Sequence, residues 1–182
     1  MKVLSPTDSA FLWMETRNQP MHVAGLNIYS PPPGAGPHFV SQLLAGWGRH
    51  LSALPPFNQR PVLRRGLWYW EDDTEFELDY HLRHLALPHP GRIRELLAMI
   101  SRLHGNLLDR NRPLWEAYVI EGLPQGRFAT YTKIHHALVD GVTGPGSWPS
   151  RWRERPMKTS RRCGRKSIPA TPPFGARRRR RA

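Results

Sequence analysis

A break in charge near residue 145 limits what this chain can fold into. Residues 1–145 carry 14 Lys/Arg and 13 Asp/Glu, whereas residues 146–182 carry 13 Lys/Arg and one acidic residue, Glu154. The formal net charge of +13 therefore resides almost wholly in the last fifth of the chain. A Pro- and Arg-rich segment of this kind buries too little apolar surface to offset the entropy of ordering it. A core is expected only in the near-neutral part, and a length of 182 suits one domain with an appendage. The single cysteine, Cys163, excludes an internal disulfide. No apolar run reaches the ~18 residues of a membrane-spanning helix, and the N-terminus lacks the pattern of a secretory signal.

The first part alternates helical and extended patterns. Ser5-Pro-Thr-Asp8 predicts a helix start, with Ser5 as cap and Pro6 at the first helical position, and the helix ends before Pro20. Residues 23–29 read as a strand, and Ser30 to Pro37 as a loop. Val40, Leu43, Leu44, Trp47 and Leu51 recur at helical spacing, which predicts a helix over 38–51. Val62 to Trp70 reads as extended, with Trp68 and Trp70 on one face, and residues 76–83 read as an irregular strand. A third helix is expected over 92–108, its stripe made by Ile93, Leu96, Leu97, Ile100, Leu103 and Leu107. Two extended segments, 115–121 and 128–134, flank the turn Gly122-Leu-Pro-Gln-Gly126 and suggest an antiparallel hairpin, although Ala129 and Lys133 weaken the second.

That second segment runs into His135-His-Ala-Leu-Val-Asp-Gly141. Adjacent side chains on a strand point to opposite faces, so the two imidazoles are expected in different environments. One can then face a reaction channel, where neutral histidine accepts a proton near physiological pH, while a nearby carboxylate supports the local geometry. A pair with one packed and one exposed histidine gives the same pattern without chemistry. Zinc fits poorly, because Cys163 is distant and no recognisable zinc spacing is present. His81, His84 and His89 are interrupted by Leu82, Leu85 and Pro88, so structural or surface roles are expected for them. The acidic run Glu71 to Glu75 reads as a solvated turn, and Arg112 as an anion binder or a local partner of Asp109.

Several stretches together carry a resemblance: Leu4-Ser-Pro-Thr-Asp-Ser-Ala-Phe-Leu12, Pro20-Met-His-Val23, Trp70-Glu71, Phe76-Glu-Leu-Asp-Tyr-His81, Leu108-Asp-Arg-Asn-Arg-Pro-Leu-Trp-Glu116 and the double-histidine motif. In order and spacing, over roughly residues 3–144, the chain resembles the bacterial wax ester synthase/acyl-CoA:diacylglycerol acyltransferase family. The resemblance implies an α/β fold, the N-terminal lobe of a chloramphenicol acetyltransferase-like two-lobed enzyme. It implies O-acyl transfer from long-chain acyl-CoA, a donor substrate rather than a bound cofactor, to diacylglycerol or a fatty alcohol. It assigns His136 as general base, His135 and Asp140 as supporting members of the motif, and Gly141, Pro113, Leu114 and Trp115 as residues that keep the site's shape. No metal is implied. The implied location is cytoplasmic, with peripheral contact at the inner face of a membrane or at a lipid droplet.

The family pattern stops soon after Gly144. Pro145-Gly-Ser-Trp-Pro149 interrupts what should become an apolar helix, and the charge break follows at once. The expected division is an acyltransferase lobe over 1–144 and a disordered basic tail over 145–182, the tail read as a frameshifted end and the second lobe as missing. The competing reading is an inactive fragment whose arginines and lysines bind nucleic acid or an anionic membrane nonspecifically. A specific nucleic-acid partner is not expected, because no recognised binding fold surrounds those charges.

Overall fold

The computed structural model describes residues 1–51 and 55–140, with side chains for all of these except 48–51 and 140. Gly141 and the basic tail, 145–182, lie outside the described residues. The chain runs β1 (Lys2–Val3), α1 (Pro6–Met14), β2 (His22–Tyr29), α2 (Phe39–Leu51), β3 (Gln59–Arg64), β4 (Leu67–Asp72), α3 (Leu78–His81), β5 (Leu82–Ala86), α4 (Ile93–Gly105), β6 (Trp115–Glu121), β7 (Phe128–His135) and α5 (His136–Asp140). The architecture is α/β, with a four-stranded sheet in the order β2-β7-β6-β5 and a three-stranded sheet in the order β1-β4-β3.

Local sequence accounts for several of these elements. Ser5 accepts the Asp8 N–H at 3.1 Å and Pro6 opens α1, as the capping pattern predicts. The β6–β7 hairpin is antiparallel, with Trp115 opposite Ile134 and Ile120 opposite Ala129. Trp68 and Trp70 are both buried, on the same face of β4.

Three expectations need correction. The extended run over 62–70 is a hairpin: Arg65 and Gly66 both have positive φ, 51° and 79°, the backbone that suits a two-residue turn between right-twisted strands. Residues 76–83 are a helical turn followed by a strand. The turn brings His81 into the core, its ring against those of Phe76 and Trp115 at 5.0 and 4.7 Å, and β5 then pairs parallel to β6. The third helix ends at Gly105, short of 108, and its apolar stripe is covered only in part. Leu96 is fully buried, while Ile93, Leu97 and Leu107 are exposed.

The two faces of the large sheet are covered differently. Trp115, Ala117 and Ile134 join Leu12, Trp68, Trp70 and Leu138 in one cluster, while Val119 and Phe128 pack with Val40 of α2. On the other face Tyr118, Ile120, Ala129 and Tyr131 meet Leu96 of α4. Truncating a buried leucine costs the transfer energy of its methyl groups and leaves a cavity, typically 2–5 kcal/mol together. Leu96→Ala should destabilise the domain by about 3 kcal/mol in urea unfolding; a loss below about 1 kcal/mol would show that α4 is not a structural cover for the sheet.

Candidate active site

β7 is flanked on both sides by antiparallel strands, and its last residue borders the first residue of α5. The peptide N–H of His135 donates to the Leu114 carbonyl at 3.0 Å, and that of His136 donates to the Met21 carbonyl at 2.8 Å. The pair is thus tied by its main chain to the entries of β6 and β2, the Pro113-Leu-Trp and Pro20-Met-His stretches. Pro113, Leu114 and Trp115 are buried, and the Trp115 indole N–H donates to the Phe57 carbonyl at 2.7 Å.

The two imidazoles occupy different environments, as expected, although the strand ends at His135 and His136 already opens α5. His135 is completely buried. Its Nδ1 accepts the Ala137 N–H at 3.1 Å, and its Nε2 lies 3.4 Å from Oε1 of Glu15 without a well-formed hydrogen bond. His136 is half-buried, and its ring stacks on Phe11 of α1 at 4.9 Å and 20°. Asp140 is the last residue of α5, and its side chain lies outside the described residues, as does Gly141.

Glu15 and Arg110 escape a reading of the sequence by pattern. The Glu15 carboxylate is almost wholly enclosed. Oε1 accepts the Met21 N–H at 3.2 Å, and Oε2 accepts from Arg110 Nε and Nη2 at 3.3 and 3.1 Å. Burial pushes the carboxyl up, but His135, the Met21 N–H and Arg110 outweigh it and hold the group down to about 2. The one available signal was an acidic residue just past an apolar helix, and Arg110 is 95 positions away in the chain.

A second polar cluster lies behind the histidines on the α4 face. Lys133, which looked like a flaw in the strand, is fully buried. Its ammonium donates to the Leu103 and Asn106 carbonyls, both at 3.0 Å, and lies 3.1 Å from Glu116 Oε2. The Tyr118 hydroxyl donates to the same carboxylate oxygen at 2.8 Å, and burial together with Glu116 pushes that phenol up. Tyr131, 2.9 Å from His104 Nδ1, is pushed up to about 12 by burial first and then by Glu116. His22 donates from Nε2 to the His104 carbonyl at 2.9 Å; burial and then Lys133 lower its basicity.

The other titratable candidates are structural. His81 is fully buried and donates from Nδ1 to the Trp115 carbonyl at 2.7 Å, and burial lowers its basicity. His84 lies 3.0 Å from Glu121 on the surface. Arg112 pairs with Glu77 at 2.6 Å and more distantly with Asp109 at 4.0 Å, with its guanidinium over the Tyr80 ring. Among the described residues no group of three or more His, Cys, Asp or Glu side chains is arranged to hold a metal ion.

Comparison with known proteins bears on the family and the fold. The wax ester synthase/diacylglycerol acyltransferase catalytic domain matches residues 4–181. The chain belongs to that family. The O-acyltransferase WSD of Acinetobacter baylyi is 51% identical over 145 residues, 79% of this chain and 31% of that protein. A Mycobacterium tuberculosis protein described as a probable diacylglycerol O-acyltransferase is 49% identical over 148 residues, 79% of this chain and 32% of that one. The solved wax ester synthase/diacylglycerol acyltransferase from Marinobacter aquaeolei VT8 is 50% identical with a TM-score of 0.72, over 77% of this chain and 34% of that chain. The starter condensation domain of a rhizomide synthetase shares the fold at a TM-score of 0.55 and 12% identity, over 75% and 34%. The chain thus spans about a third of the length of these relatives.

The buried carboxylate makes stability depend on acid. Glu15 has a folded-state value of about 2 against an ordinary 4.5, so its contribution is complete above about pH 4.5 and is lost as pH falls towards 2. The shift corresponds to roughly 3 kcal/mol. In urea unfolding followed from pH 7 to pH 2, Glu15→Gln should be less stable than wild type at neutral pH, with the gap closing below pH 4.5. A gap independent of pH would show that the ionised carboxylate is not what stabilises this corner.

Proposed function

We propose that this chain carries the general-base lobe of an acyl-CoA-dependent O-acyltransferase, with His136 as the base. The observation that carries the reading is the contrast within the histidine pair. His135 is sealed in protein, whereas His136, the first residue of α5, is only partly buried and its ring stacks on Phe11. Membership of the family supports long-chain acyl-CoA as donor and diacylglycerol or a fatty alcohol as acceptor. Because the matched part is about a third of the relatives' length, the reading includes a second lobe that completes a chloramphenicol acetyltransferase-like channel.

In this mechanism the neutral His136 ring accepts the hydroxyl proton of the acceptor as its oxygen attacks the thioester carbonyl. The tetrahedral oxyanion collapses, the carbon–sulfur bond breaks, and the imidazolium returns its proton to the CoA thiolate. The ester and free CoA leave. No covalent acyl-enzyme forms, so Ser9 and Cys163 have no role as nucleophiles. Asp140, Gly141, Pro113, Leu114 and Trp115 keep the turn and its floor in shape, and the lipid acceptor is met at a membrane or lipid-droplet surface from the cytoplasmic side.

The test is transfer from a long-chain acyl-CoA to each acceptor by folded wild type and by His136→Ala. Loss of a positioned base should cut the rate about 10²–10⁴-fold. Undiminished transfer by the folded alanine variant would remove His136 from that role. No transfer by folded wild type would show that this chain does not work alone.

A further inference from the structure

His135 Nδ1 accepts the Ala137 N–H, so that nitrogen carries no proton. The proton of the neutral ring then sits on Nε2, which is fully buried and faces Oε1 of Glu15 at 3.4 Å. Glu15 also reaches the pair by a second route. Oε1 accepts the Met21 N–H, and the carbonyl of the same Met21 accepts the His136 N–H. Phe11, four residues before Glu15 on the same side of α1, supports the His136 ring. The end of α1 therefore touches both histidines and the peptide that joins β2 to them, while Arg110 holds the far carboxylate oxygen.

We infer that Glu15, clamped by Arg110, is a positioning residue for the double-histidine site: it fixes His135 as the Nε2–H tautomer, which leaves Nδ1 free to cap the first turn of α5 and so sets the His136 ring. The role in turnover rests on the reading of His136 as base; the tautomer lock does not. The site needs an acceptor at both ends of one short side chain, because Arg110 donates on one side, while on the other the Met21 N–H donates and the His135 Nε2–H faces the same oxygen at 3.4 Å. A carboxylate meets this demand. The amide of glutamine does not, since its NH2 must face donors on one side or the other.

Glu15→Gln is therefore informative although it keeps size and shape. Two-bond nitrogen–proton spectra of the chain labelled with 15N-histidine, at pH 8, should show wild-type His135 as one tautomer with a bare Nδ1. In Glu15→Gln the ring should populate the Nδ1–H form, the Ala137 amide should exchange at least about tenfold faster, and transfer should fall about 10²-fold, the scale of a misplaced catalytic group. A proton on Nδ1 in wild type overturns the inference without any variant, which covers the case in which Glu15→Gln does not fold. A folded glutamine variant with unchanged tautomer and exchange also overturns it. Undiminished transfer by His136→Ala would remove the base assignment and leave the tautomer result standing.

Discussion

The site depends on β7 being bonded on both sides. A strand at an edge would leave its last peptide groups free to twist, and the histidine side chains would follow. Here the His135 N–H goes to one neighbour and the His136 N–H to the other, and the chain turns into α5 at that point. The direction of each ring is thereby set by main-chain hydrogen bonds, which are short and geometrically strict. The side chains only have to be held in place, by Phe11 for one ring and by Glu15 and Ala137 for the other.

That dependence explains which sequence stretches matter beyond the motif itself. Pro20-Met-His and Pro113-Leu-Trp are the entries of the two strands beside β7, and each supplies a carbonyl to one histidine. The opening stretch forms α1, whose end addresses both rings. Residues from 11 to 136 therefore converge on one strand end, and three stretches of the family resemblance, those at 4–12, 20–23 and 108–116, meet the histidine motif there.

Local patterns were readable where one element decides its own form. The Ser5 cap, the shared face of Trp68 and Trp70, the second helix and the β6–β7 hairpin all follow from nearest neighbours and periodicity. The parallel pairing of β5 with β6 was not readable, because nothing in either segment states which strand it will meet. The same holds for Glu15 with Arg110 and for His81 with Trp115, contacts between positions far apart in the chain. Lys133 weakens the strand pattern for a different reason, although the strand forms. A lysine lowers strand expectation because burial of a bare ammonium is costly, and it becomes tolerable only once three oxygens surround it.

Those oxygens also explain why the polarity rises along one face of the sheet. From the far end towards the site, the α4-facing residues of β7 run Ala129, Tyr131, Lys133, His135, beside Ile28, Leu26, Ala24 and His22 of β2. α4 covers the apolar end through Leu96 and stops at Gly105, where its final turn presents carbonyls that no helical N–H can reach. A cation under that end meets both the orphan carbonyls and the negative pole of the helix, and Lys133 fills the position with Glu116 as counter-ion. An apolar residue there would leave the carbonyls without that donor. The polar cluster behind the histidines is thus a consequence of where the covering helix ends, and it places the Lys133–Glu116 pair one step along the same face of the strand from His135.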